Sequence, residues 1–189
     1  MQYPLFPFMI DISDSKILII GGGHVASRRA ETLLKCGAEV TAVSPLFIDD
    51  FPEKVIKICR AFKISDIDKK FLFVIAASDN REINRLVHDR AKSLDIPVNI
   101  ADNQNECDFF FPSLINYENI AVSVSSAGES SKLTRKLSDR LREIWPIWVR
   151  EEREKNTCFY ALSQDLAQRI PLFLPSSTVN LRDSWAGRG

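Results

Sequence analysis

Residues 17–26 run Ile-Leu-Ile-Ile-Gly-Gly-Gly-His-Val-Ala, an apolar stretch followed by three glycines and the start of a helical pattern. Gly21 suits a tight turn, and Gly23 has no Cβ to hold the backbone away from a pyrophosphate. Ala26 lets the following helix lie close to the strand, and the free N–H groups at a helix start favour an anion. The stretch therefore predicts a strand, a phosphate-binding turn and a helix.

The residues on either side complete a β-α-β unit. Residues 17–20 are apolar and rich in β-branched side chains, as in a buried strand. The helical face that follows consists of Ala26, Ala30, Leu33 and Leu34. Gly37 then ends the helix, and residues 40–43 supply a second strand. A G-x-G-x-x-A match alone is weak, and a structural glycine turn in another α/β protein is the alternative, but the complete unit favours a dinucleotide site.

The end of the predicted second strand bears on the choice of cofactor. An acidic residue is expected there to bind the adenosine ribose, but Ser44-Pro45 stands in its place. Asp49 and Asp50 follow in the next loop and reach the ribose only if that loop folds back. No Lys or Arg lies between Ser44 and Lys54 to meet a 2′-phosphate. We therefore expect NAD rather than NADP.

Composition limits the possible functions. The chain has 189 residues, 45% of them apolar, which suffices for one core with an appendage. Lys+Arg and Asp+Glu number 25 each, so no net charge points to nucleic acid or a membrane surface. Residues 1–10 lack a basic segment, and no apolar run approaches the ~20 residues of a membrane span, so we expect neither a signal peptide nor an anchor. The scattered Cys36, Cys59, Cys107 and Cys158 predict a reducing, cytoplasmic setting without a disulfide framework or structural zinc.

The alternation of strands and helices continues along the chain. Further strands are predicted at residues 55–58, 71–76 and 98–100. A helix between the last two has an apolar face formed by Ile83, Leu86, Val87, Ala91 and Leu94. This alternation predicts an α/β fold with a doubly wound parallel sheet over residues 1–113.

After Pro112 the pattern changes. Residues 120–124 predict a strand, residues 125–128 a turn, and residues 130–144 a helix. The apolar face of that helix consists of Leu133, Leu137, Leu141 and Ile144. Pro146 is predicted to lie in the first turn of a further helix.

Several of these motifs together resemble one family. They are Tyr3-Pro4-Leu5-Phe6-Pro7, residues 21–26, Ala76-Ala77-Ser78-Asp79-Asn80, Asn99-Ile100-Ala101-Asp102, Phe111-Pro112-Ser113 and residues 121–128. In order and spacing they resemble the precorrin-2 dehydrogenases, the siroheme-synthase module. The resemblance implies NAD-dependent oxidation of precorrin-2 to sirohydrochlorin, and some members also insert ferrous iron. It also implies a homodimer with a Rossmann-like NAD-binding domain (1–113), a dimerisation segment (114–145) and a C-terminal helical domain (146–189).

The resemblance implies that Asp102 is the essential catalytic residue. Asp102 follows the predicted strand 98–100, so it lies at the carboxyl edge of the sheet, where open α/β folds bind ligands. A carboxylate there can accept the proton that the macrocycle releases as its hydride leaves. The alternative is that Asp102-Asn103 is only a turn after a strand.

The glycine turn and the resemblance together predict the cofactor-binding residues. They are Gly21, Gly22, Gly23, His24, Val25, Ser44, Pro45, Ala76, Ala77, Ser78 and Asn99. Ser78 or Asp79 either bonds a ribose or caps the next helix. Asn99 either contacts the cofactor or satisfies loop backbone.

A substrate rich in carboxylates needs cations and hydrogen-bond donors. The predicted substrate-binding residues are Arg28, Ser125, Ser126, Gly128, Lys132 and Arg135. Arg28 and Arg29 follow the glycines directly and are expected to contact phosphate or substrate rather than pack in the core. Residues 132–155 hold eight Lys or Arg against five Asp or Glu, and a solvated helix face is the alternative interpretation.

The two histidines, His24 and His88, do not form a metal site, since neither has a partner at i+4. A ferrous or cobaltous ion inserted as a chelatase substrate would be bound mainly by the tetrapyrrole. Short-chain dehydrogenases are excluded because Tyr3, Tyr117 and Tyr160 each lack a lysine four residues later. A non-catalytic NAD-sensing domain is the competing interpretation. A third interpretation, compatible with the enzyme, makes residues 114–189 only a dimerisation arm.

Overall fold

The structure, a computed structural model, describes residues 6–126 and 129–169, with side chains as far as Lys155. Five parallel strands form one sheet: β1 (Lys16–Ile20), β2 (Glu39–Ser44), β3 (Ile56–Cys59), β4 (Phe73–Ala76) and β5 (Val98–Ile100). Their spatial order is β3-β2-β1-β4-β5. The chain leaves β1 towards one edge of the sheet and β4 towards the other, so the crevice between them is a topological switch point. The predicted parallel α/β sheet is confirmed.

Two helices cover opposite faces of this sheet. α1 (His24–Lys35) joins β1 to β2, and α2 (Arg81–Ser93) joins β4 to β5. Ile17 and Ile19 pack on the α1 face, whereas Leu18 and Ile20 pack on the α2 face, and each is at most 2% exposed. A strand buried on both faces has no polar alternation, which explains the continuous apolar runs in the sequence.

The buried face of α2 differs from the prediction at two positions. Leu86 is 46% exposed, so its assignment to the apolar face is wrong. Asn84 is fully buried instead, beside Val87 and Ala91. Burial of the Asn84 amide is compatible with an apolar face because both of its polar atoms bond the backbone of Ser78.

A hairpin follows the sheet. β6 (Ser113–Tyr117) pairs with β7 (Ile120–Val124) in antiparallel register, with Tyr117 opposite Ile120. β7 was predicted and β6 was not. The two-residue connection contains Glu118 with a φ of +53°, a conformation that non-glycine residues take mainly in tight turns. The sequence signal for the hairpin is its spacing: residues 113–117 and the apolar residues 120–124 are two short segments separated by only two residues.

A single helix, α3 (Ser131–Arg169), follows and contains Pro146 in its interior. The predicted new helix starting at Pro146 is therefore wrong. Proline removes one donor to the carbonyl of residue 142, but the flanking Arg-, Glu- and Lys-rich sequence favours helix strongly enough for the helix to continue. The chain divides into two compact units, Met1–Arg142 and Glu143–Gly189. The three-part division at residues 113 and 145 stays a prediction.

The free edge of β5 is covered by the segment that follows it. The N–H of Asp108 donates to the Val98 carbonyl over 2.9 Å, and the Val98 N–H donates to the Asp108 carboxylate over 3.0 Å. The Ile100 N–H donates to Cys107 Sγ over 3.1 Å, and burial raises the pKa of that thiol.

Within the described helices, none combines the length and the apolar character that crossing a membrane requires.

Candidate active site

The three glycines at the end of β1 have different surroundings. Gly21 has a φ of +134°, and a Cβ on it would lie 2.2 Å from the Ala77 carbonyl oxygen. A Cβ on Gly22 would lie 2.0 Å from the Leu46 carbonyl oxygen, whereas a Cβ on Gly23 would enter a space that is open as far as residues 6–126 and 129–169 are concerned. The tight turn predicted at Gly21 is therefore present. Gly21 and Gly22 are required by the fold itself, and Gly23 leaves room for a ligand.

The start of α1 borders that open space. Gly23 is the N-cap and supplies no side-chain cap, and the first turn contains no acidic residue. The first N–H groups of a helix have no intrahelical partner, and together they favour an anion. His24 is exposed and Val25 is 40% exposed. These residues fit the pyrophosphate of a dinucleotide.

The loop after β2 folds back onto the glycine turn. The Ile48 N–H donates to the Gly22 carbonyl over 3.0 Å. Ser44 is 8% exposed, and its hydroxyl donates to the Leu46 carbonyl over 2.6 Å. The next residue, Pro45, is exposed. Ser44 thus shapes the loop that confines Gly22, and its proton is committed there.

Asn84 fixes the loop after β4, and the sequence analysis missed it. Its Oδ1 accepts from the Ser78 N–H over 3.1 Å, and its Nδ2 donates to the Ser78 carbonyl over 2.9 Å. Ala77 precedes this clamp and donates its N–H to the Ile20 carbonyl over 2.7 Å, while Ala76 is fully buried. An asparagine within the apolar pattern of a helix is the signal that could have identified the clamp.

The cap of α2 is Asn80. Its Oδ1 accepts from the N–H groups of Glu82 and Ile83, at 2.9 and 3.2 Å. Of the two alternatives for Ser78 and Asp79, capping of this helix is not present, because Asn80 is the cap and the Ser78 hydroxyl accepts from the Asn80 N–H. The Ser78 hydroxyl lies at the sheet edge, beside the glycine turn.

Asp102 lies at the same edge, one strand further. Ile20, Ala76 and Ile100 are in register, so β1, β4 and β5 end together. The Ala101 N–H donates to the Ala76 carbonyl over 2.8 Å, and Asp102 occupies the turn that follows. With strands about 4.8 Å apart, the β5 end is about 10 Å from the glycine turn.

The side chain of Arg81 contacts two carboxylates, those of Asp102 and Glu106. Arg81, the first residue of α2, places Nη1 3.3 Å from Asp102 Oδ1 and binds Glu106 Oε1 through Nη2. The hydrogen bond that Arg81 donates to Glu106 is the largest cause that raises the pKa of Arg81, and the Asp102 charge adds to it. Neither Arg81 nor Glu106 was among the predicted site residues, because their separation of 21 and 25 positions from their partners leaves no local signal.

Asn99 makes two structural hydrogen bonds through Nδ2, one of them to Cys107 Sγ at 3.5 Å, and has one open position. Its Nδ2 donates to the Phe109 carbonyl over 2.6 Å, and the residue is 3% exposed. Its Oδ1 is buried and has no hydrogen-bond partner among the described residues. The alternative that Asn99 satisfies loop backbone is thus present in the structure, and contact with a cofactor stays a prediction.

Arg28 and Arg29 differ although they are adjacent. Arg28 is exposed, whereas the Arg29 guanidinium is half-buried and lies 5.4 Å from the centroid of the Phe111 ring. Burial lowers the pKa of Arg29 to about 10, and its Nη1 has no partner among the described residues. The expectation that Arg29 does not pack in the interior is therefore wrong.

The predicted substrate residues of the second half surround the start of α3. The Ser126 hydroxyl accepts from the Ser130 N–H over 3.0 Å and from the Thr134 hydroxyl over 2.9 Å, so it stabilises the helix start. Ser125 is exposed, and Gly128 lies outside the described residues. Lys132 and Arg135 are exposed, and Arg135 lies 4.0 Å from Asp139. Among the hydrogen bonds and ion pairs of described side chains, none joins these two cations to Asp102.

Within residues 6–126 and 129–155, no three His, Cys, Asp or Glu side chains are grouped closely enough to hold a metal ion. His24 lies at the start of α1 and His88 lies on α2, where its Nδ1 is 3.0 Å from the Asp89 carboxylate.

The chain matches known sequences over most of its length. Residues 8–113 match a family model described as "Putative NAD(P)-binding". The chain is 36% identical over 149 residues to siroheme synthase of Nitrosospira multiformis, covering 75% of this chain and 32% of that protein. It is 37% identical over 148 residues to the probable multifunctional siroheme biosynthesis protein HemA of Ruminiclostridium josui, covering 75% and 28%. The chain thus spans about a third of the length of these curated relatives.

Among solved structures, the fold resembles SirC, precorrin-2 dehydrogenase. The TM-score is 0.63 with 21% sequence identity, and the match covers 89% of this chain and 83% of that one. The motifs predicted a resemblance to the siroheme-synthase module. The two siroheme-biosynthesis relatives, 36% and 37% identical to this chain over the aligned residues, confirm that resemblance. On the family match over residues 8–113, the chain belongs to the NAD(P)-binding family that this model describes.

Proposed function

We propose that this chain oxidises precorrin-2 to sirohydrochlorin with NAD as the hydride acceptor. The observation that carries the proposal is the position of Asp102, which lies at the same sheet edge as a glycine turn with room for a pyrophosphate. The identity of 36% with a siroheme synthase supports the substrate. A general NAD-binding domain has no need for a carboxylate at this place.

In this proposal the glycine turn binds the cofactor. The N–H groups of Gly23, His24 and Val25 hold the pyrophosphate, and Ser78 bonds a ribose at the neighbouring strand end. Ser44 and Pro45 shape the wall near the adenosine, where the absence of a cation within residues 45–53 favours NAD over NADP. When bound, NAD supplies the nicotinamide carbon that accepts a hydride.

Asp102 handles the proton of the same oxidation. The macrocycle loses one hydride and one proton, and a new double bond remains in the ring system. Oδ1 of Asp102 is engaged by Arg81, whereas Oδ2 has no partner among the described residues and takes the proton. Arg28, Ser125, Ser126, Gly128, Lys132 and Arg135 are proposed to bind the substrate carboxylates.

We also propose that the chain forms a homodimer through the segment after the sheet. Ile120 on β7 is 38% exposed, and Leu133 and Leu137 on α3 are 53% and 48% exposed. Apolar side chains of this size at helical spacing favour burial against another surface. A second copy of the chain is the proposed partner, in accord with the intertwined dimer that the resemblance implies.

The decisive experiment is anaerobic incubation with precorrin-2 and NAD, followed by absorbance. Formation of sirohydrochlorin together with NADH is the expected result. A protein that binds NAD without turnover would instead be the NAD-sensing domain of the competing interpretation. Parallel reactions with ferrous or cobaltous ion test the chelatase activity, which stays a prediction.

We also propose that the protein is located in the cytoplasm. Cys36, Cys59 and Cys107 are free thiols in the structure. Free thiols suit a reducing compartment. Fractionation of cells that express the tagged chain, with the expected signal in the cytoplasmic fraction, measures it.

A further inference from the structure

Arg81 joins two carboxylates that come from different parts of the β5–β6 connection. Its Nη1 lies 3.3 Å from Asp102 Oδ1, and its Nη2 binds Glu106 Oε1. Asp102 belongs to the turn after β5, and Glu106 ends the short 3₁₀ helix Gln104–Glu106. The guanidinium therefore ties the start of α2 to the beginning and the middle of this connection.

The position of Arg81 is well fixed by its surroundings. It directly follows Asn80, whose side chain caps α2 with two hydrogen bonds. Asn84, three residues after Arg81 on α2, clamps the backbone of Ser78 on the other side of it. The backbone that carries Arg81 is thus held on both sides, and the guanidinium bonds Asp102 and Glu106 through separate nitrogens.

We infer that Arg81 is a positioning residue for Asp102 and that Glu106 is the anchor that sets its orientation. The inference rests on the proposed function, in which Asp102 takes the proton. Arg81 fixes the rotamer of the carboxylate through one oxygen and leaves the other oxygen available. It touches neither the substrate nor the cofactor in this role.

Glu106 prevents a tighter grip on Asp102. A free guanidinium prefers to bind one carboxylate through two parallel bonds. Because Glu106 occupies Nη2, Arg81 binds Asp102 through Nη1 alone. Without Glu106, Arg81 is expected to turn both nitrogens towards Asp102 and occupy the oxygen that accepts the proton.

The experiment compares Arg81→Gln, Arg81→Lys and Glu106→Gln with a matched control, Arg85→Gln. Arg85 lies one turn further along α2, its side chain is 76% exposed, and its nearest carboxylate, Asp89, is 4.0 Å away. We expect kcat for precorrin-2 to fall about 10- to 100-fold in Arg81→Gln, because a displacement of about 1 Å has an effect of that order. KM and the Kd for NAD should change less than about twofold, because Arg81 contacts neither the substrate nor the cofactor in this role.

The other variants separate positioning from structure. Arg81→Lys should recover part of kcat because one ammonium can still bond Oδ1, and Glu106→Gln should lower kcat although Arg81 is intact. Arg85→Gln should match the wild type. A kcat within about twofold of wild type in Arg81→Gln, or a loss carried entirely by the Kd for NAD, would overturn the inference.

A double-mutant cycle between Arg81→Gln and Asp102→Ala tests the contact without any turnover, because alanine leaves no acceptor for Arg81. The urea midpoints of the two single variants should not add in the double variant, because the residues share one interaction. Additive midpoints would overturn the contact and the inference with it. If the cycle shows this coupling but the wild-type protein does not oxidise precorrin-2, the proposed function is overturned instead and the contact stands.

Discussion

Gly22 and Gly23 are neighbours with opposite tolerance for a side chain. Alanine at Gly22 brings its Cβ to 2.0 Å from the Leu46 carbonyl, whereas alanine at Gly23 meets no atom of the described residues within 4 Å apart from its chain neighbours. We expect Gly22→Ala to lower the free energy of unfolding by about 1–3 kcal/mol, as overpacking does. Gly23→Ala should fold normally and bind NAD at least about tenfold more weakly, a difference of about 1.4 kcal/mol.

Urea unfolding and NAD titration of both variants measure these effects. Each variant serves as the control of the other, because both add one methyl group to the same turn. Normal NAD affinity in a folded Gly23→Ala protein would show that the pyrophosphate does not lie over this glycine.

Asp102→Asn keeps the size of the side chain and removes the carboxylate. Because Asp102 is at the surface end of the sheet and not in the core, fold and NAD binding should survive. Oxidation of precorrin-2 should fall by about two to four orders of magnitude if the carboxylate is a general base. Steady-state rates measure the loss, and near-normal oxidation by the folded variant would remove Asp102 from the mechanism.

At this scale, sequence reasoning succeeds where a residue acts through its own neighbours. Gly21 and Gly37 take the positive φ expected of a turn and a helix end, at +134° and +83°. It fails where the partner is remote: the need for glycine at Gly22 arises from the Leu46 carbonyl of another loop. Arg29 is misplaced for the same reason, since Phe111 is supplied by a distant segment.

Among the elements, the connection between β3 and β4 depends on one ion pair. It contains the 3₁₀ helix Ile64–Asp66, and Asp66 receives two hydrogen bonds from Arg60, at 2.8 and 2.6 Å. The Lys63 N–H adds a third at 2.8 Å. The Arg60 hydrogen bond holds the pKa of Asp66 below its ordinary value, so the folded state favours the carboxylate.

This pKa shift gives a signed prediction for stability against pH. The stabilisation is fully present above the ordinary pKa of about 3.9 and is lost as the pH falls through the lower pKa of the folded state. Asp66→Asn should therefore be less stable than wild type at pH 7, and the gap should close below about pH 4. Urea midpoints at pH 7, 4 and 3 measure it, with the exposed Asp49→Asn as control. A gap that is constant down to pH 3 would contradict the role of the pair.

The elements were predictable to the extent that their apolar pattern is their own. β1, β2, β4 and β5 are buried on both faces and were placed within two residues of their true ends. β6 has only Ile115 buried, at 4% exposure, so its pattern is weak and it was missed. The continuation of α3 through Pro146 was missed because a proline weighs locally against a helix that the surrounding sequence maintains.

For the whole molecule, the main prediction is self-association. Leu133→Glu together with Leu137→Glu places two charges in the proposed interface and should convert a dimer into a monomer. Light scattering at tens of micromolar measures the mass, since a specific interface should hold at that concentration. Arg140→Gln, on the same helix, changes one charge at an exposed position outside the apolar pair and should leave the dimer intact. A wild-type monomer would contradict the prediction.

The covered edge of β5 has a consequence for how this molecule avoids aggregation. A sheet whose outer strand presents free N–H and C=O groups can recruit another strand and grow. Here Asp108 satisfies both backbone groups of Val98, and Cys107 Sγ receives the Ile100 N–H, so this side is closed to strand addition. Growth by edge pairing is left to β3, where the exposed Lys57 discourages it. Alkylation of Cys107 would free only the Ile100 N–H and C=O groups, while Asp108 would still cover Val98 and keep that half of the edge closed.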